Sequence, residues 1–506
     1  MSSSEKSTYG SILKSSALIG GSSLVNVGIS IVRAKAMALL LGPGGVGLLG
    51  LLNSVLDLAR TMAGLGLSSS GVRQIAEAAA TQDSQRVART ALALRNAAVL
   101  LGIVGGGLIA LFSRPIAVFS FGDASQQRAV ALLGLAVLFA SVAGAQLALL
   151  QGLRRIRELA MANVLGAFLG TLGSIVIIYL FRRQGLAVSL ICVALMALAG
   201  TWWYVRRVEL PAMRWRWADL APEVSALLKL GVVFMASGLM MMAVGYFIRM
   251  IVMRKLGEDA AGFYQAAWAL GGLYVGFILQ AMGADFFPRL TAAARDHPRC
   301  NRMVNEQTEI GLLLAGPGLL ATLTFAPWVI RIFYSGQFEP AVEILRWICL
   351  GMMLRVVSWP MGFIVLAQGA RRAFFWSELA ANVSQVGLAW LGVLYFGLKG
   401  TGIAFFASYL FYWMLIYAIV RGLSGFRFSP ASRGIGLLYL VLITLVFVGW
   451  YFVPEGWVMA GGALAMIGAG SFSCRRICSL VPFERLPGPA QRVLVLLRLA
   501  SPPARV

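Results

Sequence analysis

The stretch ALLLGPGGVGL at Ala38–Leu48 returns in outline as MRKLGEDAAGF at Met253–Phe263, an offset of 215 residues without a gap. In each copy a glycine (Gly42, Gly257) closes a long apolar run. A second glycine (Gly47, Gly262) follows five residues later, just before the next run opens. Further along, GLIALFSRPIAVFSFG (Gly107–Gly122) faces GLLATLTFAPWVIRIFYSG (Gly318–Gly336) after a small shift. Glycine-ended helices are common in membranes, so neither match decides anything alone. Their agreement in order and spacing points to a duplicated unit.

From Lys14 to Cys478 the chain around these turns is a succession of apolar runs joined by short arginine-bearing connectors. A hydrocarbon core about 30 Å thick needs about 20 helical residues to cross it, and no water-soluble core asks for that pattern over nearly a whole chain. The runs fall at roughly 13–41, 46–67, 91–113, 129–151, 159–181, 186–205, 226–253, 260–286, 308–333, 341–369, 374–397, 400–420, 434–453 and 457–474, about fourteen spans. The fold class is therefore all-α and polytopic. The repeat divides it into a six-helix lobe at 1–207, a connector at 208–225 and a second six-helix lobe at 226–422. A two-helix addition at 423–478 and a basic tail at 479–506 follow. Six being even, the copies share an orientation and are related by an axis along the membrane normal, with a cleft between lobes that opens to one face and then the other. The last two helices fall outside the repeat and are expected to be dispensable for transport.

Hydrophobic residues make up 59% of the 506 and charged residues 12%, against about 25% charged in soluble domains, and mean hydropathy is +0.81. The net charge of +23 would suggest nucleic acid in a soluble protein. Here the basic residues sit between apolar runs, so the partner they imply is anionic lipid. With the N-terminus in the cytoplasm, the inner connectors and tails collect 29 Lys and Arg and the outer ones 8, which places both ends inside. The amphipathic RWRWADL at Arg214–Leu220 is expected to lie on the inner leaflet. The first run continues to Leu41 without a small-residue cleavage site and is taken as a retained helix.

The five cysteines show no metal spacing. No G-x-x-x-x-G-K-[ST] run is present. His297 is the only histidine and is expected in a solvated loop, so no catalytic residue, metal ligand or cofactor site is assigned and the chain does not read as an enzyme.

Polar residues inside the apolar runs remain, each costing about 2.5–3.5 kcal/mol at the bilayer centre when charged. They recur at one-face helical spacing: Asn26, Ser30 and Arg33; Asn53, Asp57 and Arg60; Glu378, Asn382 and Gln385. Gly351, Arg355, Ser358 and Gly362 form another stripe, and Tyr246 and Arg249 lie one turn apart. The substrate-binding candidates are Arg33, Arg355, Arg60, Asp57, Asn53, Asn26, Arg249, Glu378 and Asn382, on faces expected to meet a wet cavity. The blander alternatives are definite: Asp57 and Arg60 can pair with each other at i, i+3, Arg249 can snorkel, and Glu378 can sit at the interface. Lys35, Arg346 and Asp285 lie close enough to helix ends to snorkel. Deep arginines outnumbering acids point to an anionic cargo, because guanidinium binds phosphate through paired donors.

KAMALLLGPGGVGLLGLLNSV (Lys35–Val55), GFYQAAWALGGLYVGFILQAMGADFFPRLT (Gly262–Thr291) and AQGARRAFFWSELAANVSQVGLAW (Ala367–Trp390) resemble the corresponding segments of Wzx-type polysaccharide-lipid flippases. These belong to the multidrug/oligosaccharidyl-lipid/polysaccharide, MATE-like superfamily, and the likeness spans roughly Leu13–Gly422. The resemblance implies two six-helix lobes, a cationic cavity and alternating access. Its implied cargo is an undecaprenyl-diphosphate-linked oligosaccharide of O-antigen or enterobacterial-common-antigen type, crossing the bacterial inner membrane. Polymerase and chain-length proteins of the same pathway are implied partners. A MATE-type ion-coupled multidrug exporter is the main rival, and a non-transporting scaffold for glycan assembly the other. The tail from Phe426 departs from the family pattern, which ends near the twelfth helix.

Overall fold

The computed structural model describes residues 3–81, 83–211 and 217–480. Its helices are α1 (Ser3–Gly64), α2 (Leu67–Ala80), α3 (Ser84–Leu111), α4 (Ser113–Phe121), α5 (Gln127–Gly152), α6 (Ile156–Phe181), α7 (Leu186–Val205) and α8 (Trp217–Leu256). They continue with α9 (Glu258–Ala292), α10 (His297–Thr324), α11 (Ala326–Phe333), α12 (Ala341–Ala367), α13 (Arg371–Phe396), α14 (Gly400–Ser424), α15 (Pro430–Phe452) and α16 (Glu455–Leu480). Among the described residues there is no strand. The amphipathic stretch expected at Arg214–Leu220 and the basic tail lie outside the described residues, save for the helical backbone of 217–220 and 479–480.

Nine stretches among the described residues are long and apolar enough to cross a bilayer, and ten if α10 and α11, bent by 82°, form one. Three of the nine, Gly20–Gly64, Ile156–Val205 and Arg371–Ser424, run to 45, 50 and 54 residues. Each is about twice the length of one crossing, and each is interrupted, at Gly42, at Arg182–Gly185 and at Gly397–Lys399.

Both aligned sequence pairs adopt matching local structure. Gly42 (φ 66°) breaks α1, and Gly257 (φ 89°) separates α8 from α9. Both are left-handed conformations that a side chain resists. The following glycines serve close approach instead: a methyl on Gly47 would overlap the Glu258 carbonyl, and one on Gly262 the Pro43 carbonyl. Small residues at such crossings let membrane helices pack backbone to backbone. In the second pair, α3 ends at Phe112 (φ −93°, ψ 18°) and α10 at Phe325 (φ −100°, ψ 21°). A short proline-bearing helix follows in each case, α4 with Pro115 and α11 with Pro327.

By packing, the chain forms two compact units: Met1–Gly262 with Phe333–Ser335, and Phe263–Ile332 with Gly336–Val506. In the first, α8 packs along α1, α2 and α3, and Leu67, Ile75, Leu94, Leu149 and Leu227 share one core. The kink of α1 is held by Arg182, which donates to the Leu40 carbonyl (3.2 Å), and beside it Arg183 pairs with Glu258 (3.0 Å).

In the second unit, Phe286, Val304, Met361, Ile364, Ile416 and Phe426 form the core. Here α15 and α16 are not a loose addition. Tyr439 of α15 is fully buried against Gly316 of α10, where any side chain would strike its ring, and its hydroxyl bonds Ser473 of α16. The α14–α15 connector is bonded to α10 as well. Asn305 donates to the Arg427 carbonyl (3.0 Å) and accepts from the Ser429 amide (2.7 Å). Buried Glu309 accepts from the hydroxyls of Ser429 (3.0 Å) and Ser432 (3.2 Å). Ser429 also caps α15 ahead of Pro430 at its first turn, a favoured helix start. His297, expected in a loop, is instead the exposed first residue of α10, which Asp296 caps by accepting from the Arg299 amide (3.0 Å).

Lipid-facing surface is visible in the exposures. On α13, Trp376 (64%), Val383 (63%), Trp390 (47%) and Leu394 (47%) lie exposed along one side. At about 100° per residue, Glu378, Asn382 and Gln385 fall on the opposite side, where all three are half-buried.

Candidate functional site

The polar stripes expected from the sequence resolve into a group in each unit. In the first unit, α1 carries Asn26 and Arg33 two turns apart. The Asn26 Oδ1 and the Arg33 Nη2 are both buried and meet no hydrogen-bond partner among the described residues. Arg33 sits beside Cys192 of α7. Ser30, expected on the same face, is exposed, so that stripe is divided. Beyond the kink, Asn53 is half-buried. Asp57 and Arg60 form the ion pair foreseen as the blander reading, at 3.7 Å with both side chains about half exposed (51% and 49%).

Arg249 of α8 folds back onto the Gly245 carbonyl (3.0 Å), in the space that glycine leaves open, and lies within electrostatic reach of Asp57. A half-exposed pair of this kind contributes little to stability, so its weight is in setting local charge. Tyr246 faces elsewhere, bonding Ser120 of α4 at 2.8 Å. The part of α1 beyond its kink is also tied to α8 by Thr61, whose hydroxyl lies 2.9 Å from the Met242 sulfur.

In the second unit the group is more compact. Arg355 of α12 lies over the ring of Tyr409 of α14 (5.8 Å to the centroid). One turn on, the Tyr412 hydroxyl donates to Glu378 of α13 (3.0 Å) and lies over Gly362 of α12. Asn382 continues the same side of α13 and makes no hydrogen bond among the described residues. Three helices thus bring together a guanidinium, a carboxylate, an amide and two phenols. Tyr409 and Tyr412 were not singled out from the sequence, because a tyrosine in an apolar run reads as packing. The signal that marks them is their spacing along α14 opposite its exposed residues Leu410, Phe411 and Met414.

No cluster of three or more metal-ligating side chains occurs among the described residues. The arrangement offers guanidinium donors and phenol hydroxyls within apolar helices.

The fold is one found in solved structures of membrane transporters. An inward-facing multidrug resistance MATE family transporter matches with a TM-score of 0.64 at 18% identity, covering 78% of this chain and 95% of that one. The lipid II flippase MurJ, inward closed, matches with a TM-score of 0.68 at 14% identity, covering 92% of this chain and 99% of that one.

Residues 36–343 match the family described as polysaccharide biosynthesis protein, and the chain belongs to that family. It is also similar to the lipid III flippases of Escherichia coli (strain K12) and Shigella flexneri, each 22% identical over 416 residues, 80% of this chain and 97% of the relative.

Proposed function

We propose that this multi-pass membrane protein translocates a lipid-linked glycan, an oligosaccharide on a polyprenyl diphosphate of O-antigen or enterobacterial-common-antigen type. The glycan passes from the cytoplasmic to the periplasmic leaflet of the bacterial inner membrane. The names of the similar lipid III flippases support the lipid-linked cargo, and the MOP-type fold supports transport without chemistry. The observation that carries the reading is that Arg33 and Arg355 lie within apolar helices with no carboxylate partner among the described residues. A guanidinium in hydrocarbon needs an anion or water, and a diphosphate presents paired oxygens to its planar fork. Lobes at 1–207 and 226–422 are proposed to carry the headgroup from one face to the other by alternating access, with the isoprenoid tail left in lipid. An exporter of organic cations would call for acids, yet Asp57 is already paired and Glu378 already accepts a phenol.

Reconstitution tests it. Liposomes holding the protein should expose a fluorescent polyprenyl-diphosphate oligosaccharide to an impermeant quencher faster than empty liposomes do. Equal rates, with ion-driven uptake of a cationic dye instead, would make the protein an exporter.

We further propose that both termini are cytoplasmic, as the distribution of basic residues requires. A single cysteine placed at 297 in a cysteine-free background should resist an impermeant thiol reagent added outside spheroplasts. Ready labelling there would invert the topology.

A further inference from the structure

Inside the second unit, aromatic rings form a row from α9 to α14. Tyr264 stacks with Trp268 (6.2 Å), Trp268 meets Phe405 edge-on (5.4 Å), Phe405 neighbours Tyr409 (4.8 Å), and Tyr409 neighbours Tyr412 (6.3 Å). Trp268, Tyr409 and Tyr412 keep part of their surface uncovered, while Tyr264 and Phe405 are buried beneath as support. Gly351 of α12 lets the row seat closely, since a side chain there would strike the Phe405 ring.

Beside these rings stand polar groups with capacity to spare. Arg355 has five N–H donors and no acceptor among the described residues, only the Tyr409 face beneath it. Glu378 has accepted one hydroxyl of the roughly four that its two oxygens can take. Asn382 and Gln385 make no hydrogen bond among the described residues. Polar groups left empty within apolar spans are costly, and here they face away from the lipid side of α13.

We propose that this constellation is a saccharide subsite that holds sugar rings of the glycan. A pyranose has an apolar C–H face and a rim of hydroxyls. The negative face of an aromatic ring suits the first. A mixed set of carboxylate, amide and guanidinium suits the second, since each hydroxyl both donates and accepts. A diphosphate alone uses neither Asn382 nor the tyrosine faces, and a lipid tail uses none of the polar groups. The proposal rests on the reading of the protein as a lipid-linked glycan flippase and adds to it where sugars, as distinct from phosphate, are bound.

The test compares two probes on the intact, detergent-solubilised protein by native mass spectrometry. One is a polyprenyl diphosphate bearing an N-acetylated disaccharide, and the other is the same lipid without sugar. The wild type should bind the glycosylated lipid more tightly. Tyr409→Leu and Asn382→Leu should each lower that affinity by about tenfold, the equivalent of one stacking or hydrogen-bonding contact. Sugar-free lipid should bind Asn382→Leu as it binds the wild type, and Tyr409→Phe, which keeps the ring beneath Arg355, should retain the preference. Equal loss for both probes, or no loss for either, overturns the subsite and leaves the flippase reading standing. A wild type that binds neither probe overturns the flippase reading, and the subsite falls with it.

Discussion

Arg33→Ala and Arg355→Ala should each slow flipping of a lipid-linked oligosaccharide about ten- to a hundredfold, the consequence of losing a charge-assisted phosphate contact of about 1.5–3 kcal/mol. Arg33 is the sharper case, because its buried Nη2 meets no protein acceptor. Removing it breaks no ion pair among the described residues. The variant should therefore insert and accumulate normally while lipid-linked intermediate builds up on the inner leaflet. Arginine-to-lysine should rescue only in part at both positions, since lysine keeps the charge but loses the planar fork. At Arg355 it also loses the flat contact with Tyr409. Wild-type transport by both alanine variants would reduce these side chains to structural anchors. Arg60→Ala should cost less, because its charge is already answered by Asp57.

Cutting the chain after Ser424 should unfold or strongly destabilise the second unit, contrary to the expectation that the last two helices are dispensable. The cut removes Phe426, which is wholly buried against Tyr417 and Phe428 in the core of that unit. It empties the slot at Gly316 that Tyr439 fills. It also strips Glu309 and Asn305 of their partners in the α14–α15 connector and the first turn of α15. Loss of a large buried aromatic costs about 3–5 kcal/mol, and each buried polar group left unsatisfied about 1–3 kcal/mol. Together these are comparable with the whole stability of an ordinary domain, about 5–15 kcal/mol. Thermal melting followed by size-exclusion chromatography should show little folded protein, or a far lower melting temperature. A truncated chain that melts like the full one and still flips would return α15 and α16 to the status of an addition. A milder version, Ser429→Ala with Ser432→Ala, should destabilise without preventing insertion, because it removes the two hydroxyls that Glu309 accepts and the cap of α15 but leaves both helices in place.

Much of the site could be read from spacing. Asp57 and Arg60 are three residues apart on one helix, so their pairing was a local matter. The stripe on α13 was legible because a helix turns by a constant angle, and the side away from its exposed tryptophans is the side the polar residues occupy. Spacing failed for Ser30 and Tyr246, where the helix surface turns onto different neighbours within one or two turns. It was silent on Tyr409 and Tyr412, because only α12 and α13 brought alongside α14 turn two phenols into partners for Arg355 and Glu378.

Composition and periodicity by themselves determined that this chain is a bundle of membrane helices. They determined that glycines at Gly42 and Gly257 end helices, and that charge inside the apolar runs is mainly basic. Those are local properties, set by backbone conformation, helix length and the cost of placing charge in hydrocarbon. Tertiary structure alone decided which charges are answered. Arg60 has a carboxylate in reach and Arg33 has none among the described residues, although both are arginines in apolar helices. It likewise made α15 and α16 part of a core, through one buried tyrosine, one buried glutamate and the helix α10 that meets them. Packing between segments far apart in sequence depends on which surfaces come into contact, and hydrophobic periodicity records only that a face is apolar, not what covers it.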